Sequence, residues 1–247
     1  MAFVQQVQNS TSGTGVGNIA SGNLGAAVTA GNALVVVAGY FAAASRTITL
    51  SDTLGHTYTS VQTVYNATDD VGLEFFFVSN TGGGTNSVTA TYGGGTVDFP
   101  CIFVAEYDTI ATSSANGGSN AFNRQAGPGT GANAITTAAS SPSNQPVWDI
   151  GFSFNWDGGA APNAGTGYTG RTAGWTFGGT TSACARFQDQ RRTATTSVAN
   201  TFTAAGGTGT HIFYTSRLYL LEPAGGAATI YTRRPLDSPI FTSRILS

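Results

Sequence analysis

The chain has 247 residues, of which only 9 % are charged, and its formal net charge is −2. Charge is this scarce in disordered chains too, but 15 Phe, 9 Tyr and 3 Trp exclude that class. All ten cations are arginines, and neither the −4 carried up to Pro223 (seven Arg against eleven Asp and Glu) nor the +2 of the tail (three Arg against Asp237) is the basic face a nucleic acid requires.

In chain order, Ala2 to Gln8 reads as a first strand, followed by a Gly, Ser and Thr stretch too flexible for helix. Ala33 to Ala42 is a continuous β-branched and aromatic run, which predicts a core strand. Arg46 to Leu50 and His56 to Tyr65 flank a turn at Ser51 to Gly55, and Leu73 to Val78 is the most aromatic strand. Asn86 to Tyr92 alternates Val88, Ala90 and Tyr92 with Ser87, Thr89 and Thr91, the mark of one wet face. Phe99 to Asp108 organises the rest. Phe99, Cys101, Phe103, Ala105 and Tyr107 point one way, and Pro100, Ile102, Val104 and Glu106 the other, so the strand is expected to be central and covered on both faces.

Beyond Asp108 the pattern weakens through Ala111 to Ala134, with one short strand expected near Ala121 to Gln125. Val147 to Trp156 then sets Trp148, Ile150, Phe152, Phe154 and Trp156 on one face, which must pack on another sheet. Tyr168 to Phe177, Ser182 to Arg192, Val198 to Thr203 and Thr210 to Glu222 complete the strands. About a dozen strands between Gly-rich turns, without sustained helical periodicity, predict an all-β fold: a two-sheet β-sandwich or jelly roll over residues 1–223. No repeat of fixed period is apparent. Pro223 and Gly225-Gly226 break the last strand, and residues 224–247 read as an extended C-terminal arm too short to bury itself alone.

The stretches Phe3 to Gln5, GNALVVV at Gly31 to Val37, SDTLGHTYT at Ser51 to Thr59, GGGTNSVTATY at Gly82 to Tyr92, FVAEYD at Phe103 to Asp108 and GTGYTGR at Gly165 to Arg171 occur in this order. Over residues 2 to 222 they resemble Gly/Thr-rich bacterial extracellular and phage β-sandwich modules, with His56 where those modules usually carry Asn. The resemblance implies an exterior β-sandwich and carries over no catalytic residue.

The chemistry-bearing motifs are sparse. Glu74 and Glu106 are the acids expected to be partly buried; as a glycosidase pair they would need to lie about 5–10 Å apart across a groove. A nucleophile would need His56 or His211 as its base, and no G-x-S-x-G occurs. Two histidines without a Cys-x-x-Cys argue against zinc. No resident cofactor is expected; oxygen-ligated calcium is the alternative, at Asp69-Asp70 or Asn155 to Asp157. Cys101 and Cys184 are either two buried thiols or one cross-strand disulfide. Arg186, Arg191 and Arg192 around Asp189 read as a solvated ion-pair set. Tyr168 and Trp175, in a Gly-rich stretch, are the candidates for stacking on a surface glycan.

The arm carries Ile230, Tyr231, Arg233, Arg234, Ile240, Phe241 and Arg244, a β-like segment with arginines suited to bidentate pairing across an interface. These features lead to the expectation of a non-enzymatic structural protein on a virion exterior, a capsid decoration or tail-associated subunit, joined to itself or to other virion proteins through the arm. A carbohydrate-binding module or adhesin, or a subunit of an extracellular filament, is the alternative. No basic-apolar leader and no apolar run of about 18 residues is visible, so a virion or extracellular location without a membrane span is expected.

Overall fold

The computed structural model describes residues 3–128, 134–143, 146–155, 160–171, 175–176, 184–194, 196–205 and 210–223. Every regular element among them is a strand, and every strand pair is antiparallel. The first half contains β1 (Phe3–Ser10), β2 (Asn18–Asn23), β3 (Ala33–Phe41), β4 (Thr47–Asp52), β5 (Thr59–Asn66), β6 (Val71–Val78), β7 (Ser87–Gly93) and β8 (Asp98–Tyr107). The second contains β9 (Asn116–Pro128), β10 (Ala134–Thr136), β11 (Val147–Asn155), β12 (Ala160–Ala164), β13 (Thr169–Gly170), β14 (Trp175–Thr176), β15 (Cys184–Arg192), β16 (Thr201–Ala205) and β17 (Thr210–Leu221).

In the first half, one sheet has the order β1-β8-β3-β6-β5 and the other β2-β7-β4. That interleaving of first, eighth, third and sixth strands against second, seventh and fourth is jelly-roll winding. The second half repeats it: β9-β17-β11-β15 with β13 and β14 beyond, facing β10-β16-β12. Counted from each half's start, the strands correspond one to one, with β13 and β14 together in the place of β5. The all-β sandwich and jelly-roll architecture expected from the sequence is the one the chain adopts, and it does so as two jelly rolls of the same topology. Their kinship leaves no fixed sequence period because the loops between equivalent strands differ in length.

The four sheets stack as layers, the five-stranded and six-stranded sheets innermost. Val35, Val37, Phe75, Phe103, Ala105 and Tyr107 of the first half pack on Trp148, Ile150, Phe152, Phe154, Phe187 and Leu218 of the second. Phe103 stacks on Phe187 with ring centroids 4.1 Å apart. The opposite face of the first inner sheet, including Leu34, Val36, Ile102 and Val104, packs on Ile19, Ile48, Val88, Ala90 and Tyr92 of the outer sheet. This accounts for the apolar residues on both faces of β3 and β8: an inner layer has no wet side. β8 lies between β1 and β3, so β3 holds the middle of the sheet. The strand expected near Ala121 to Gln125 is the longer β9, and that expected over Tyr168 to Phe177 is the pair of two-residue strands β13 and β14.

The outer core of the second half is different in kind. The face of β11 turned away from the first half carries Asp149, Gly151, Ser153 and Asn155, and its neighbours present Gln188 and Arg192 from β15 and Thr215 and Arg217 from β17. All of these side chains are buried beneath β10-β16-β12. Only Ile135, Phe202 and Phe213 form an apolar cluster there among the described residues.

Candidate functional site

Each half places a tyrosine immediately before its fifth strand and an asparagine immediately before its seventh, and both reach the same buried carboxylate. In the first half that carboxylate is Asp52, at the end of β4. It accepts hydrogen bonds from Tyr58 Oη (2.7 Å), Asn86 Nδ2 (3.0 Å) and the backbone N–H groups of Leu54 (3.2 Å) and His56 (2.9 Å). His56 Nε2 accepts from the Gly82 N–H at 2.8 Å, so Nδ1 carries the proton and donates to Asp52 at 2.6 Å. With both ring nitrogens engaged, His56 has no lone pair for a nucleophile. Burial raises the Asp52 pKa, and the hydrogen bonds from His56, Tyr58 and Asn86 outweigh it, leaving the carboxyl below its ordinary 3.8. Burial and the adjacent Asp52 push the Tyr58 phenol far up.

In the second half the carboxylate is Asp149, on β11. Arg217 of β17 grips it with Nε at 2.7 Å and Nη2 at 2.5 Å, while Asn200 Nδ2 donates at 3.0 Å and Tyr168 Oη at 2.7 Å. Neither Arg217 nor Asp149 has any exposed surface. The same guanidinium donates through Nη1 to the Val198 carbonyl at 2.6 Å. Gln188 binds the Gly165 N–H through Oε1 (2.9 Å) and the Thr201 carbonyl through Nε2 (2.9 Å). Arg192 donates to Tyr219 Oη at 3.1 Å and to the Thr196 carbonyl at 2.7 Å. Burial, then Asp149, push the Tyr168 phenol up beyond the range in which it ionises in water.

This network ties two segments, Gly165 to Tyr168 and Val198 to Thr203, to one buried ion pair. On the outer side of β15 these two segments and Gln190 line a groove of about 440 Å³, with Tyr168, Gln190, Thr201 and Thr203 among its lining residues. Thr166, Val198 and Ala199 complete the lining, and no charged residue is among the residues lining it. Two glycines shape the turn that leads into Tyr168. A Cβ at Gly165 would run into the Thr201 carbonyl, and Gly167 has φ +84° with Gln190 Nε2 2.8 Å from where a Cβ would stand.

The other expectations fall as follows. Glu106 is fully buried, accepting from Gln5 Nε2 (2.5 Å), Asn32 Nδ2 (2.6 Å) and the Thr29 N–H (2.9 Å). Glu74 is bonded to Ser60, and its carboxyl is raised by burial. Glu106 pairs opposite Leu34 and Glu74 opposite Ala38, on either side of β3. Four residues and two strand spacings separate them, on the order of 15 Å, too far for a glycosidase pair. Cys101 is a free thiol, fully buried against Gly39 and pushed up by burial; the backbone of Cys184 pairs with Asn155, and its side chain lies outside the described residues.

The arginines expected to surround Asp189 in solvent are dispersed instead, because alternation sends them to opposite faces of β15. Asp189 is buried and bound bidentately by Arg171 (2.8 and 2.7 Å), and it accepts from Tyr107 Oη (2.7 Å). Arg191 pairs with Glu222, Arg192 joins the outer-core network, and Arg186 donates to the Pro162 carbonyl. Trp175 pairs its backbone with Ala185, and its side chain, like that of His211, lies outside the described residues. Asp69 meets Tyr214, and Asp70 accepts from Tyr65; among the described residues no group of three or more His, Cys, Asp or Glu is gathered as metal ligands. Asp157 and the whole arm, with Ile230, Tyr231, Arg233, Arg234, Ile240, Phe241 and Arg244, lie outside the described residues. No described helix is long and apolar enough to cross a membrane.

Sequence reasoning missed Asp149, Asn200, Gln188 and Arg217 as a set. The signal was present in two echoes, GHTYT at Gly55 to Thr59 against GTGYT at Gly165 to Thr169, and NSVTA at Asn86 to Ala90 against NTFTA at Asn200 to Ala204. The fold and its paired clusters define a tandem jelly-roll protein. No family model, no curated protein and no solved structure matches the chain.

Proposed function

We propose that this is a non-enzymatic structural protein of an exterior surface, a virion decoration or tail-associated subunit, whose body is a rigid platform and whose C-terminal arm joins it to its neighbours. The observation that carries this reading is that, among the described residues, the histidine and the buried acids of the body are committed to its own interior. His56, Asp52, Glu106, Asp149 and Asp189 each have their hydrogen-bonding capacity directed at neighbouring protein groups. Jelly rolls recur in capsid and lectin domains, which supports such a platform. Pro223, the last described residue of the body, lies beside Ala111 to Ser114, the link between the halves. The test compares the full chain with its R233A/R234A/R244A variant by analytical ultracentrifugation and by co-assembly with its particle. Loss of assembly with an unchanged melting profile is expected, and equal assembly of both proteins overturns the reading. A second reading, glycan binding, is favoured by the uncharged groove beside Tyr168.

A further inference from the structure

We propose that the groove between Tyr168, Gln190, Thr201 and Thr203 binds a neutral saccharide. This rests on the glycan reading alone and is independent of the arm. Three observations converge on it.

First, the lining matches the ligand class. The groove's volume falls within the range of small-molecule sites, and its walls offer an aromatic ring, one carboxamide and several hydroxyls without a charge. A pyranose presents the complement: a C–H face for the ring and neutral hydroxyls that both donate and accept.

Second, the walls are held in advance. Tyr168 is fixed through its hydroxyl to Asp149, and Val198 through its carbonyl to Arg217, the two partners of one buried ion pair. Gln188 ties Gly165 to Thr201. A weakly interacting ligand such as a sugar gains most from a site that loses little freedom on binding.

Third, the first half shows that the fold does not need this arrangement. Val78 follows Phe77, the partner of Thr59, as Gln190 follows Asp189, the partner of Thr169. There Val78, Tyr58 and Leu54 pack against an apolar core. Replacing a buried ion pair by well-packed apolar residues is often neutral or stabilising. The fold does not require the polar core that the second half keeps, and that core holds residues lining the groove.

The experiment uses the full chain against an array of neutral oligosaccharides, with glucose, galactose, mannose and N-acetylglucosamine titrated by NMR. Binding of at least one neutral probe is expected. Q190A and T203R, each folded by circular dichroism, should weaken that binding by about tenfold or more, the worth of one good polar contact. T49R, on the outer sheet of the first half, should leave it unchanged. Binding of no neutral probe, binding of anionic glycans only, or equal binding by Q190A and T203R overturns the proposal. A chain that assembles through its arm yet binds no sugar refutes this inference and leaves the assembly reading standing.

Discussion

Asp149 receives four charged or polar donors inside a region without solvent, and its loss leaves a guanidinium buried with no counter-charge. D149N and R217M should each cost about 3–5 kcal/mol in chemical denaturation, the range for breaking a buried pair. R191A removes the exposed partner of Glu222, whose position at the surface lets water reach the carboxylate it leaves, and should cost less than either. The reverse order would mean the network is wrongly placed. Two acids of the first half should titrate with opposite consequences. Asp52 has a folded pKa below its ordinary 3.8, so its stabilisation is complete above that value and disappears as pH falls through the folded value. Glu74 has its pKa raised above 4.5 by burial, so its contribution is complete below 4.5 and is lost as pH rises through the folded value. D52N should flatten the acid limb of the stability curve, and E74Q should gain on the parent as pH rises toward neutrality. Parallel curves for parent and variant would contradict either assignment.

At the scale of elements, Gly165 and Gly167 fix the turn that delivers Tyr168. G165A forces a methyl against the Thr201 carbonyl and should lower the melting temperature well beyond G31A, where φ is +88° but the surrounding space is open. Equal shifts would show that the turn yields. Strands of the first half were legible because their side chains follow their burial: β3 is apolar throughout and lies between layers, and β7 alternates and lies outside. β2 was not, since Asn18–Asn23 is short and rich in Gly and Ser, and its pairing with β7 comes from tertiary packing. The candidate site was legible only at Tyr168. Asp149, Ser153 and Asn155 alternate with large apolar residues, the pattern of a solvent-facing strand, and only the arrival of β10-β16-β12 buries them.

At the scale of the molecule, the two jelly rolls differ in their outer cores and share an inner one. Phe103 on Phe187, Phe75 against Phe152 and Tyr107 on Asp189 place the largest apolar cluster between the halves, and neither half buries its inner sheet without the other. Burial at that boundary couples the two, so they should unfold together. Differential scanning calorimetry of the full chain tests this most directly. A single transition with equal calorimetric and van't Hoff enthalpies, shifted as a whole by D149N, is the predicted result; two resolved transitions, only one of them moved by that substitution, would contradict the shared core.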